Sequence, residues 1–472
     1  MEINMADDKH YEYGTAMNPS MEKLKKQGNS YAEQLFGEYR QCYDEGLDVE
    51  PYQKVFFAIR RMPLCKEREE MATLLQNVIY KLPIRADYAY NEPSDLAGIR
   101  ALRKPYAYEG KVAEGDALKD KIRGAWYGRV CGCWLGKPIE GAKYAEITAF
   151  LKETGNYPMN RYILASDVKD EMNERYKFPF RRRLNMYPDV ATCMPADDDT
   201  NYTLMAQVTI EKYSRDFAPD DMAERWVALQ PKTAYWTAEQ AAFTNFVNGY
   251  EPPLSAMYKN PYREWIGAQI RGDYFGYINP GNPELAAEMA WRDASISHTK
   301  NGIYGEMFVA AMLAIAATTD NIKDIIYGGL AEIPATSRLY EAVMKLIAKY
   351  DEGASTEEMF AYIHSIYNNE DGFDWCHTIS NALVVIASLL CGEGDYGKSI
   401  CLSVQTGFDT DCNGATVGSI IGMRNGMGGV GEEWTAPTNG KFQTNLCGYT
   451  EVSIDECVDK TMEHMKDTPK ED

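Results

Sequence analysis

The sequence predicts an all-α protein, and three observations carry that prediction. Apolar residues recur at helical spacing along most of the chain. Alternating β-branched runs, the signature of half-buried strands, are nearly absent. Two segments also place glycine at every fourth position: Gly124, Gly128, Gly132 and Gly136, then Gly414, Gly418, Gly422 and Gly426. A glycine inside a helix costs about 1 kcal/mol relative to alanine. Four on one stripe therefore need a compensating contact, and close approach of two helix backbones supplies one. A membrane GxxxG pair is disfavoured, because Arg129 and Arg424 interrupt segments too short to span.

Taken in order, residues 1–19 are polar and read as frayed. From Met21 to Leu82 the pattern is helical, with Tyr31, Leu35, Tyr39 and Tyr43 every four residues. Met71, Leu74, Leu75, Val78 and Leu82 form a second such stripe. Residues 83–115 contain Pro83, Pro93 and Pro105 and read as a connection. The chain thus divides into an N-terminal helical extension and linker, 1–115, and a larger domain, 116–472. In the larger domain the first striped helix is expected over Lys119–Leu135. Further helices are expected over Asn201–Lys212, Met222–Ala228, Thr237–Val247, Pro283–Ser297, Tyr304–Ala317, Arg338–Tyr350, Thr356–Tyr367 and Thr378–Leu390.

Composition narrows the function. The chain has 472 residues, with 49 Lys and Arg against 70 Asp and Glu, a net charge of −21. That argues against a nucleic-acid binder, which needs a basic face, and against docking on anionic membrane. No stretch approaches the roughly 18 apolar residues of a span. Eleven scattered cysteines and a polar N-terminus fit a reduced, cytoplasmic chain. Cys131 and Cys133 are the only close pair, without the second pair a zinc finger needs.

Two acidic loops stand out. Asp197, Asp198 and Asp199 are adjacent and precede an apolar helical run. Asp409 and Asp411 open the second striped helix. Each loop alone reads as a helix cap, worth about 1 kcal/mol, but one Asp suffices for a cap. Together, two oxygen-rich loops can converge on hard divalent cations. An EF-hand reading of the second loop fails, because Ile420 stands where the loop's final glutamate belongs.

The order of motifs resembles the ADP-ribosylglycohydrolase family, which includes dinitrogenase-reductase-activating glycohydrolase. A striped helix ends in Gly132-Cys133-Trp134-Leu135-Gly136-Lys137-Pro138-Ile139-Glu140. Asp197-Asp198-Asp199-Thr200, Ser297-His298-Thr299 and Gly407-Phe408-Asp409-Thr410-Asp411-Cys412-Asn413 follow. The family's patterns are GDALGxPxE, TDDT, a THxxP-like segment and GGDTDTNA, and the resemblance covers about residues 118–430. It implies an orthogonal helical bundle, here with an N-terminal helical extension, holding two magnesium ions that fix a ribose diol and a water. It implies hydrolysis of a glycosidic bond through an oxocarbenium-like transition state. Carried over residue by residue, the metal ligands are Asp197, Asp198, Asp199, Asp409, Asp411 and Cys412. Glu140 is an acid/base candidate on the loop after the first helix, with Asp198 and Asp199 as alternatives for handling the proton. His298 lines the ribose or base pocket, and Asn301 and Glu306 are further substrate-binding candidates.

The chain departs from the pattern in places that bear on chemistry. Asp197 and Cys412 stand where the family has Thr, Cys133 where it has Asp, and Phe408 where it has Gly. A thiol is a poor ligand for magnesium. The family's phosphate-cradling segment, Gly-Asn-Gly-Ala-Ala-Met-Arg, matches Trp265-Ile266-Gly267-Ala268-Gln269-Ile270-Arg271. Losing the first Gly and the Asn removes donor-rich backbone, while Trp265 offers a ring face to a sugar or base. The expectation is a magnesium-dependent hydrolase of an N- or O-glycosidic bond to a ribose-like sugar, with ADP-ribose itself in question. The alternatives are a catalytically inactive ligand-binding protein on the same fold and a two-carboxylate glycosidase without metal.

Overall fold

A computed structural model describes residues 30–173, 175–176, 184–369 and 371–466. The frayed reading of 1–19 and the start of the helical reading at Met21 lie outside the described residues. The chain forms two compact units. One comprises the residues up to Ala89 together with Lys259–Tyr262, and the other Tyr90–Tyr258 with Arg263–Asp472.

The first unit contains α1 (Leu35–Asp44), α2 (Gln53–Arg60) and α3 (Lys66–Ile79). The continuous helical pattern is divided where Pro51 and Pro63 deny the helix a backbone donor. Tyr31, Leu35, Cys42, Phe56, Ile59, Ala72, Leu75 and Ile79 form its core. The inward face of α3 is therefore Ala72, Leu75 and Ile79; of the expected stripe Leu75 is buried, whereas Met71, Leu74 and Val78 are exposed. Buried Arg68 explains the rotation: its guanidinium bonds Glu33 at 2.7 Å and the Arg60 carbonyl at 2.7 Å.

The second unit begins with α4 (Leu96–Ala101), inside the stretch expected as a connection. Asp95 caps it, accepting from the Gly98 amide at 2.8 Å. There follow α5 (Gly115–Gly136), α6 (Tyr144–Glu153), α7 (Asp198–Tyr213), α8 (Pro219–Leu229), α9 (Thr237–Val247), α10 (Leu254–Met257), α11 (Asp273–Tyr277) and α12 (Pro283–Ala294). After these come α13 (Asn301–Ala316), α14 (Ile322–Leu330), α15 (Arg338–Asp351), α16 (Thr356–Ile366), α17 (Thr378–Cys391), α18 (Tyr396–Gln405), α19 (Thr410–Asn425), α20 (Glu432–Thr435) and α21 (Ile454–His464). Among the described residues the only sheet is an antiparallel pair, β1 (Lys441–Gln443) with β2 (Glu451–Ser453), in which Phe442 faces Val452. The architecture is all-α. Every expected helix is present; α4, α6, α10, α11, α14, α18, α20 and α21 were not expected. No helix among the described residues is long and apolar enough to cross a membrane.

The two glycine stripes form one seam. Helices α5 and α19 run antiparallel, with Gly124 against Gly422, Gly128 against Gly418 and Gly132 against Gly414. A Cβ built at any of these would overlap the carbonyl oxygen of its partner. Gly136, the fourth member on α5, lies against the Thr410 backbone. Gly426 has a positive φ of 74° and ends α19 as its C-cap. The seam has a positional consequence: antiparallel pairing sets the last turn of α5 beside the first turn of α19. Thr410 Oγ1 fastens the two by donating to the Gly136 carbonyl at 2.9 Å.

Candidate functional site

Three helix ends meet here: the C-terminus of α5 and the N-termini of α7 and α19. The positive ends of two helix dipoles favour anionic groups there. Asp197 is the N-cap of α7 and accepts from the Asp199 amide at 2.9 Å. It does the capping, and Asp198 and Asp199 exceed that need. Asp409 precedes α19 without a side-chain cap hydrogen bond, and its own amide donates to Asn381 Oδ1 at 3.0 Å. Capping does not explain the second acidic loop.

Possible ligand atoms of Cys133, Asp197, Asp199 and Asp411 all lie within 4.8 Å of one another, as do those of Asp409, Asp411 and Cys412. Asp411 is common to both groups. All six residues are buried, and Asp411 Oδ1 has no hydrogen-bond partner. Cys133, which the sequence presents as a lost carboxylate, contributes a sulfur 3.9 Å from Asp199 Oδ2. Asp198 belongs to neither group. It and Glu140 are the partly exposed carboxylates of the site.

Two buried cations bear on this cluster, and the sequence reading assigned a role to neither. Lys137, the residue after α5, makes an ion pair with Asp197 Oδ2. Arg129, wholly buried on α5, reaches Asp199 Oδ1 at 3.1 Å, Asp273 Oδ2 at 2.9 Å and the Asp199 carbonyl at 2.8 Å. Among the described residues no Lys or Arg side chain is within ion-pair distance of Glu140, Asp198, Asp409 or Asp411. A signal was available in both cases. Arg129 interrupts an otherwise small and apolar stripe, and Lys137 lies inside the motif at the helix end.

The electrostatics follow from this imbalance. Burial pushes Asp198, Asp199 and Asp411 well above the usual carboxylate range and neighbouring carboxylates push them further, with Arg129 opposing the shift at Asp199. Burial would also raise Asp197, but the Lys137 ammonium holds it below its ordinary value. Glu140 is pushed up to about 8 by burial; Lys137 opposes the shift, and Asp409 and Asp197 add to it. Burial likewise raises the Cys133 and Cys412 thiols, with the adjacent carboxylates adding to it. A pocket of this kind takes up either protons or a divalent cation. The unpartnered oxygen of Asp411 and the clustered oxygens around it fit a divalent ion.

The expected substrate-binding residues are placed unevenly. Trp265 meets Phe373 edge-on, with ring centroids 5.5 Å apart. The next amide, Ile266 N, donates to the Cys376 carbonyl at 2.8 Å, and the Cys376 thiol donates to Asp409 Oδ2 at 3.3 Å. Trp265 therefore adjoins the pocket through Cys376, a residue the sequence did not flag. His298 is buried, with Nδ1 2.8 Å from Ser297 Oγ, while Nε2 has no hydrogen-bond partner and lies 3.9 Å from Glu239 Oε1. Asn301 is held among its neighbours. Its amide donates to Glu92 and Glu264, both at 2.8 Å, and its oxygen accepts from the Leu339 amide, so the side chain is a structural tie. Glu306 lies 3.5 Å from Arg271 Nη2, in a separate buried network with Glu239 and Asp293. The Phe408 ring stacks on His364 at 5.0 Å, which stacks on Tyr144 at 4.5 Å, so its ring is engaged in an aromatic stack.

The sequence profile of ADP-ribosylglycohydrolase matches residues 114–465. No curated protein matches the chain. Among solved structures, a chain from an "ADP-ribosylglycohydrolase-related protein complex" is similar at 15% identity with a TM-score of 0.48, covering 74% of this chain and 98% of that one. The profile match spans well over half of the 472 residues and includes every carboxylate of the pocket, and the chain belongs to the ADP-ribosylglycohydrolase family.

Proposed function

We propose that this protein is a metal-dependent hydrolase that cleaves an N- or O-glycosidic bond to a ribose-like sugar. The observation that carries the reading is Asp411, a buried carboxylate common to two ligand groups with one oxygen lacking a partner. Asp409, Asp411 and Cys412 would hold the ion. A bound magnesium or similar ion supplies a clamp for a sugar diol and a lowered pKa for a coordinated water.

The protein's own groups do the rest. Glu140, partly exposed and raised to about 8, holds a proton at neutral pH and offers it to the departing group. Asp198, also partly exposed, takes the proton of the attacking water in its ionised form, which burial opposes and which a divalent ion bound among the neighbouring carboxylates would restore. The carboxylates around them stabilise positive charge developing at the anomeric carbon. Arg129 keeps Asp199 in position through its side chain and carbonyl.

The substrate is a smaller nucleoside-like or simple glycoside, with Trp265 against its ring. Two features of the altered loop favour this over ADP-ribose. Its Ile266 amide is committed to the Cys376 carbonyl, and a Cβ at Gly267 would overlap Glu239, so the loop lacks an open diphosphate cradle. An inactive binding protein is the second reading, favoured by protonated thiols at Cys133 and Cys412.

The test offers the full chain an ADP-ribosylated peptide, a nucleoside and an aryl ribofuranoside, each with magnesium and with chelator. Cleavage of a ribofuranoside or nucleoside in magnesium alone supports the reading. Cleavage that persists in chelator removes the metal from the mechanism. Binding of these compounds without turnover favours the inactive protein.

A further inference from the structure

The two ligand groups differ in what the chain supplies to them. Lys137 begins a 3-10 turn, Lys137–Ile139, at the end of α5, and only 5% of it is exposed. Its Nζ pairs with Asp197 Oδ2, and Asp197 shares a group with Cys133, Asp199 and Asp411. Arg129 reaches the same group through Asp199. This group therefore receives an ammonium and a guanidinium from the chain. The other group, Asp409, Asp411 and Cys412, has no Lys or Arg of the described residues within ion-pair distance.

One departure from the family pattern thus takes on a second meaning. Asp197 stands where the family has Thr, which suggests an added metal ligand. In the structure that extra carboxylate faces a buried lysine. A neutral Thr would leave the ammonium without its partner, and burying an unpaired charge is costly. Asp197 and Lys137 are an internal charge pair set where a divalent ion would otherwise balance the carboxylates. A second divalent ion in that group would meet the ammonium at close range and be repelled by it.

We propose that the Lys137 ammonium is a built-in cation that replaces one of the family's two ions, so that the chain takes a single divalent ion at Asp409, Asp411 and Cys412. The proposal rests on the metal-dependent reading above. It assigns Lys137 a positioning role: it fixes Asp197, and through the α7 cap the adjoining Asp198 and Asp199.

The test is an ion count with Mn2+ alone on chelator-stripped full-length protein, by titration calorimetry and electron paramagnetic resonance. Wild type is expected to bind one ion and give an isolated-ion spectrum. The double variant Lys137→Met, Asp197→Thr removes the charge pair without stranding either partner. It is expected to bind two ions and show spin coupling between them. Lys137→Arg keeps the cation and is expected to stay at one. Two ions in wild type overturn the proposal, as does a double variant, folded by circular dichroism, that still binds one. No ion in any form overturns the metal reading itself and this proposal with it, a result separate from a count of one or two.

Discussion

Arg271 and the acidic pocket are both built from buried carboxylates in the second unit, yet they are balanced differently. Around Arg271, the guanidinium donates to Asp293 and to Glu239 Oε1 at 2.9 Å, and Glu306 lies 3.5 Å away. The same guanidinium sits over the Trp226 ring at 4.9 Å. One cation holds the network together, and the network ties the 265–271 segment to α9, α12 and α13. At the ends of α7 and α19 the chain supplies cations to Asp197 and Asp199 only. Asp409 and Asp411 remain without one. Carboxylate density alone is therefore a poor indicator of a site: Glu306 shares Arg271 with two other carboxylates and is pushed well above its ordinary range by burial, whereas Asp409 and Asp411 have no Lys or Arg at ion-pair distance and depend wholly on a proton or a ligand.

The largest effect should come from breaking the balanced cluster. Arg271→Met leaves three buried carboxylates without their cation, and breaking a buried pair in this way costs about 3–5 kcal/mol. Urea unfolding should show that loss while Mn2+ binding to the folded variant is unchanged. If the fold tolerates the substitution without cost, the network is not structural and the comparison fails.

The unbalanced cluster should respond in the opposite sense. Asp411→Asn removes a carboxylate common to both ligand groups, and its Mn2+ affinity should fall by a hundredfold or more, at least as much as supporting residues of metal sites cost. Its stability without metal should hold or rise, since one buried charge is gone. Glu306→Gln, in the balanced cluster, should leave Mn2+ affinity unchanged. Equal losses of affinity in both variants would mean that the two clusters act as one.

A smaller effect tests the scaffold under the pocket. Gly132→Ala puts a methyl group into the Gly414 carbonyl, and overpacking of this kind costs about 1–3 kcal/mol. Because the same seam sets Cys133 beside Asp411, Mn2+ affinity should fall too, whereas unfolding of the Arg271 network should follow global unfolding.

Much of this was readable in the sequence wherever the signal is local. Helix α9 is Thr237–Val247, as its periodicity predicts. The glycine stripes announced a close backbone contact because glycine is costly inside a helix, and the structure supplies the contact. Adjacent aspartates marked both loops. What could not be read was charge balance, since Lys137 and Arg129 meet Asp197 and Asp199 across 60 and 70 residues. Nor could the sequence show what surrounds Asn301 and Glu306, which follow His298 along the chain. A helix turns such neighbours to different sides, and theirs are occupied by Glu264 and by Arg271. The aromatic stack of Phe408 depends on a positive φ of 61° immediately before Asp409, a conformation no periodicity reveals.

The smallest effect concerns protons in the balanced cluster. Burial raises Glu239 to about 7, although Arg271 opposes the shift, and Asp293 adds to it. A carboxyl whose pKa is higher in the folded than in the unfolded chain binds a proton on folding. Its stabilising contribution is therefore complete below the unfolded value of 4.5 and is lost as pH rises towards 7. The slope in that window is at most about 1.4 kcal/mol per pH unit from this one group. Glu239→Gln mimics the protonated acid, so at pH 6 it should cost no more than about 1 kcal/mol, the scale of one hydrogen bond. It should also flatten the fall in melting temperature between pH 5 and pH 7. An unaltered slope would place the titration elsewhere and leave Arg271 neutralising Glu239 at every pH. The network would then be more fully balanced than its three carboxylates and single cation suggest, and its contrast with the acidic pocket sharper still.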